Sequence, residues 1–178
     1  MWITSAGTLT CETAIWVPTF GNATYHFVEQ EYLYWKQFAD NNDSVNPAFD
    51  VAAVFNDSVR PIVDAGLTAF VEPSANLTPQ VALIPSYGHT PGHVSVLIES
   101  RGESAVITGD LMHTPCQIGR PDWSCVYDSD QDAAAATRQA FVERFADTST
   151  MVIGTHFGTP SGVLVHRDGS AFRLSPVG

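Results

Sequence analysis

Apolar residues recur with a helical period first. Between Val28 and Asp40, the positions Val28, Tyr32, Trp35 and Ala39 fall at i, i+4, i+7 and i+11, the buried stripe of an amphipathic helix that ends at Asn41 to Asp43. Residues 1–21 have no such period and read as extended or irregular chain leading to a strand near Thr24 to Phe27. A second helix is predicted from an Asn46 cap and Pro47 toward Gly66, disturbed at Pro61. After Gly66 the period shortens to that of strands. Leu67 to Val71, Gln80 to Ile84, Val94 to Glu99 and Ser104 to Thr108 read as a meander, the last pair being a hairpin with a loop of about four residues. Leu111 to Tyr127 carries no period and is predicted to be a loop. A helix follows from Gln131 to Ala146, with Ser129 and Asp132 in a capping-box pattern and Ala134, Phe141 and Phe145 on its buried stripe. Strands near Met151 to Gly154, Val163 to His166 and Ala171 to Leu174 close the chain. With no repeat or linker, residues 1–178 are expected to form one α/β domain.

Composition narrows the partners. A 44% hydrophobic, 15% charged chain is globular, and no apolar run reaches the roughly 18 residues of a membrane span. The net charge of −11 would repel phosphate backbones, so nucleic acid is not an expected partner, and the charge reads as a solvated surface. Cys11, Cys116 and Cys125 cannot all pair and lack C-x-x-C spacing. With no signal-peptide pattern at the N-terminus, the expected compartment is the reducing cytoplasm, where sequons at Asn22, Asn42, Asn56 and Asn76 mean nothing.

The chemistry lies where strands end. Val81 to Pro85 leads into Gly88-His89-Thr90-Pro91-Gly92-His93, the next strand pair into Thr108-Gly109-Asp110, and Met151 to Gly154 into Thr155-His156-Phe157-Gly158. Imidazole nitrogen and carboxylate oxygen suit a divalent metal such as zinc, and a catalytic site keeps one position open for water. Spacings of 21 and 46 residues cannot unite His89, Asp110 and His156 locally; their union requires adjacent strands that end at one sheet edge. Singly, each has an ordinary explanation: a turn histidine, a turn aspartate, a buried strand-end histidine. The repeated glycines around His89 argue for a backbone bent to fit around something.

This pattern resembles the carboxyl-terminal two thirds of a metallo-β-lactamase-fold hydrolase, and Gly109 to His113 with Pro121 to Trp123 further resembles the lactonase and organophosphate or ester hydrolase branch. The resemblance implies a partial αββα sandwich lacking its N-terminal portion, with His89, Asp110 and His156 as metal ligands. Asp110 would bridge two metals and orient the attacking water, which makes it the catalytic candidate. It implies zinc, with manganese or iron as alternatives, and a small-molecule substrate. His93 is not a ligand in that family and is expected to support one through a hydrogen bond. His113 is a candidate to line the pocket. His26 is expected in a core or sheet-edge role, and Trp123 and Phe157 in core packing rather than a pocket wall.

The family signature H-x-H-x-D-H is absent, because none of His26, His89, His93, His113, His156 and His166 lies two residues from another. The chain is therefore expected to be truncated at its amino terminus, with half of the metal site missing. Two expectations follow: a metal-dependent lactone or ester hydrolase by ancestry, or a non-catalytic remnant or binding module that keeps the fold without the metal chemistry. The second would aggregate or form a homodimer covering the gap. Related folds that bind one iron and oxidise sulfur compounds offer a third reading that no residue here specifically supports.

Overall fold

The computed structural model describes residues 7–9, 16–41 and 50–177, in two compact units, 1–72 and 73–178. The predicted Asn46 cap lies outside the described residues.

In the first unit, β1 (Gly7–Leu9) pairs antiparallel with β2 (Trp16–Pro18), within the segment expected to be extended or irregular. β3 (Tyr25–Val28) runs into helix α1 (Glu29–Asn41), and α2 (Val51–Ser58) and α3 (Arg60–Asp64) follow. Asp50 caps α2 by accepting the Ala53 N–H at 2.9 Å. The helical path breaks at Val59, which places Pro61 in the first turn of α3, where its missing N–H costs nothing. Ala39, Phe55 and Val59 form the small core, with Phe27, Tyr32 and Trp35 packed on it. β4 (Thr68–Val71) does not join the meander: it pairs in parallel with β3. A parallel pair needs a long crossover, and the segment between β3 and β4 that carries α1, α2 and α3 supplies one.

The second unit is built on a mixed seven-stranded sheet ordered β11-β10-β9-β8-β7-β6-β5. Its strands are β5 (Asn76–Thr78), β6 (Val81–Pro85), β7 (Val94–Ser100), β8 (Glu103–Ile107), β9 (Met151–Ile153), β10 (Gly162–Asp168) and β11 (Ala171–Pro176). The β7–β8 turn is tighter than predicted: only Arg101 and Gly102 lie outside the strands, at φ 54° and 83°. Positive φ at both central residues is the hairpin geometry that matches strand twist. β8 and β9 are parallel; every other neighbouring pair is antiparallel.

The β8–β9 crossover carries a 3-10 turn (Gly109–Leu111), the single turn α4 (Cys116–Gly119) inside the predicted loop, and helix α5 (Gln131–Phe145). Phe141, Val142 and Phe145 of α5 meet Val106, Val152, Val163, Val165 and Phe172 of the sheet in one core with Leu111, Met112, Ile118 and Phe157. α5 is capped by Asp130, whose carboxylate accepts the Ala133 N–H at 2.9 Å, and not by Ser129. Ser129 instead donates its hydroxyl to the Gly88 carbonyl.

Candidate metal centre

The strand directions decide where the site forms. β6, β8 and β9 run the same way, since β7 is antiparallel to both β6 and β8 and β9 is parallel to β8. Their carboxyl ends therefore share one sheet edge, although β7 separates β6 from the other two, so the three are not all adjacent. His89 follows β6, Asp110 follows β8, and His156 follows β9.

Gly88 sets the approach of His89. Its φ is +125°, and a Cβ there would lie 2.2 Å from the Ala134 backbone nitrogen, so the turn is bent to fit the first turn of α5. The Ser129 N–H donates to the His89 carbonyl and the Asp130 N–H to that of Gly88, each at 3.0 Å. Gly154 does the same for His156, because a Cβ there would overlap the Phe157 ring at 2.1 Å.

Asp110 is the meeting point. Its carboxylate lies 2.9 Å from His156 Nε2 through Oδ1 and 3.6 Å from His89 Nε2 through Oδ2. His89 is buried, whereas the His156 side chain is 45% exposed, which opens one side of the centre to solvent. Burial works to raise the Asp110 carboxyl, yet it lies below its ordinary value; the hydrogen bond from His156 and the nearby His89 are among the groups that lower it.

His93 fixes the Asp110 backbone. Its Nε2 accepts the Asp110 N–H at 2.9 Å. A backbone N–H can only donate, so the ring proton sits on Nδ1, which donates to the Ser86 carbonyl at 3.0 Å. Burial and neighbouring His89 push His93 down to about 3, which keeps it neutral.

Sequence reasoning missed Asp128 and Arg138. Asp128 Oδ1 sits 3.2 Å from His89 Nδ1, and Oδ2 accepts from Arg138 Nη1 at 3.1 Å and from the Cys125 N–H at 3.0 Å. Both side chains are wholly buried. Burial would raise the Asp128 carboxyl, but hydrogen bonds from His89, Cys125 and Arg138 hold it below its usual value. With Asp128 accepting from Nδ1, the lone pair of His89 is left on Nε2, facing Asp110. Arg138 also donates to the carbonyls of Pro121 and Leu111, tying the crossover loop to α5.

His113 lies inside this cluster. Its ring centroid is 4.9 Å from that of His89 and 4.9 Å from that of His156, stacked on the latter. Burial, then the neighbouring His89, push it down to about 4. Among the described residues, one group offers three ligand atoms within 4.8 Å of one another: His89, His113 and Asp128. Asp128 is already committed to Arg138, so we assign it to orienting His89 rather than to the ion. The donor set fits a divalent cation on two counts. The Nε2 lone pair of His89 and the Asp110 carboxylate are two acceptors that face each other, and His113 Nδ1 is buried without a hydrogen-bond partner.

The remaining candidates lie elsewhere. His26 is exposed on β3 and His166 bonds Ser175 at 2.7 Å. Phe157 is in the core, but Trp123 is half exposed beneath the Arg120 guanidinium instead of being packed there. Cys116 and Cys125 are free thiols. An open groove of the first unit, lined by Trp16, Arg60 and Asp64, contains none of the candidate residues.

The Metallo-beta-lactamase superfamily pattern matches residues 13–156. The chain belongs to that superfamily. Its structure is similar to the hydrolase AbOPH of the beta lactamase superfamily, with TM-score 0.78 and 24% identity over 91% of this chain and 57% of that one. It is also similar to AidC, a dizinc quorum-quenching lactonase solved with the product N-hexanoyl-L-homoserine, with TM-score 0.73 and 24% identity over 90% of this chain and 57% of AidC. A probable metal-dependent hydrolase from Staphylococcus aureus aligns with TM-score 0.64 and 20% identity over 90% of this chain and 55% of its own. The superfamily chain thus spans little more than half the length of these structures. No curated protein sequence matches it. Among the described residues no helix is long and apolar enough to cross a membrane.

Proposed function

We propose that this superfamily member is a metal-dependent hydrolase of lactones or esters, with His89, Asp110 and His156 as metal ligands. The observation that carries the reading is the Asp110 carboxylate, which directs one oxygen to each histidine from the edge where three parallel-running strands end. A bound divalent ion would supply Lewis acidity, polarising a carbonyl and acidifying water. The chain's own residues prepare that chemistry. His93 holds the Asp110 backbone, Asp128 directs His89 Nε2 inward, and exposed His156 borders the side open to substrate. The structural relatives, a lactonase among them, support a small ester-like substrate.

The purified chain is expected to take up zinc, manganese or iron and to open a simple γ-lactone or cleave an aryl ester. Both activities should vanish in His89→Ala and Asp110→Ala. A chain that binds no metal and hydrolyses neither substrate would overturn the proposal. A second reading, a binding module without turnover, is favoured by one observation: no H-x-H occurs in the sequence. It predicts a folded chain that hydrolyses neither substrate.

A further inference from the structure

We infer that His113 is itself a metal ligand, through Nδ1, so that this chain holds a single divalent ion with three imidazoles and the Asp110 carboxylate. The inference rests on the metal-binding reading above, and deepens it by assigning a ligand that neither the strand-end pattern nor the family match supplies.

Position is the first argument. The His113 ring lies between the two strand-end histidines, with centroids 4.9 Å from each, so an ion shared by His89 and His156 is within reach of its edge. A ligand atom of His113 also comes within 4.8 Å of one on His89. Two nitrogens on one zinc, each about 2.0–2.1 Å from the metal, lie roughly 3.3 Å apart in a tetrahedron, so metal binding would draw the His113 and His89 rings together.

Satisfaction is the second argument. His113 Nδ1 is buried and makes no hydrogen bond, although most buried polar atoms in folded proteins have a partner. The backbone around it is nevertheless firmly placed. The His113 N–H donates to Gln117 Oε1 at 2.7 Å, and buried Gln117 in turn donates to the Trp123 carbonyl at 2.9 Å. A ring fixed by its backbone beside two other histidines, with a buried nitrogen that has no hydrogen-bond partner, is explained by coordination.

Coordination number is the third. His89, Asp110 and His156 alone give one ion three protein ligands, and His113 raises this to four. Four ligands then come from this chain's own residues, so a water on zinc would take a fifth position, and an octahedral ion such as manganese would keep two positions open.

The test is imidazole nitrogen NMR on the full chain, uniformly labelled with nitrogen-15, titrated with zinc chloride. One equivalent of zinc is expected to shift His113 Nδ1 together with the ring nitrogens of His89 and His156, while His26 and His166 stay in place. His113→Gln should bind zinc at least about 10-fold more weakly in competition with a chromogenic chelator. In its spectrum, the His89 and His156 signals should still respond. If His89 and His156 shift and His113 does not, the inference fails and the proposed function stands. If none of the three shifts, both fall.

Discussion

Arg138→Met should destabilise this protein far more than any surface arginine substitution. The Arg138 and Asp128 side chains are both 0% exposed and meet at 3.1 Å. Methionine keeps most of the volume, so the cost is electrostatic rather than a cavity. The Asp128 carboxylate keeps only the Cys125 N–H and His89, and the carbonyls of Pro121 and Leu111 lose their donor. Breaking a buried pair from one side costs about 3–5 kcal/mol, because a desolvated charge is left behind. For a chain of 178 residues, each kcal/mol moves the melting midpoint by about 2–4 °C, so a fall of roughly 6–20 °C is expected. Urea unfolding followed by far-ultraviolet circular dichroism measures the loss. In the double variant Asp128→Asn/Arg138→Met the orphaned charge is gone, and the double-mutant cycle should return a coupling of about 2 kcal/mol. An Arg138→Met protein within about 1 kcal/mol of the parent, or a coupling near zero, would refute the reasoning.

Gly88→Ala should cost at least about 2 kcal/mol and lower the melting midpoint, since it combines a left-handed backbone with a clash against the Ala134 backbone. Gly21→Ala, with no atom within 4 Å of its Cβ, should stay within about 0.5 kcal/mol of the parent; equal effects at both sites would discredit the argument. In metal-free protein, stability should fall on acidification well before the carboxylates titrate. His93 is pushed down to about 3 in the fold, against roughly 6.5 when unfolded, so below pH 6.5 the unfolded chain takes up a proton that the native ring refuses. The stability from His93 is thus complete above about pH 6.5 and is lost as pH falls toward 3, with a slope approaching about 1.4 kcal/mol per pH unit. His113, pushed down to about 4, adds to the loss over the upper part of that window. Urea midpoints at pH 7.5 and pH 5 check this, and a flat profile would contradict neutral burial of His93.

The edge of the sheet was legible because alternation of apolar residues marks where a strand stops, and a ligand just past the stop is placed by strand direction alone. His89, Asp110 and His156 needed no more than that, although β7 had to be inserted between β6 and β8 for the directions to agree. Pairing partners were harder to read. β4 has the same local pattern as the meander strands, and only the helices between β3 and β4 mark it as half of a parallel pair. Asp128 was invisible from spacing, 39 residues from the histidine it orients and at the end of a segment with no period. Arg138, by contrast, left a signal. It lies four residues after Ala134 and three before Phe141, on the stripe that α5 turns to the core, where an arginine is rarely buried without a partner. A cation on that stripe calls for a buried carboxylate within reach, and the aspartates just before α5 are the nearest supply. Of these, Asp130 is spent on the helix cap, which leaves Asp128 to join the arginine to His89.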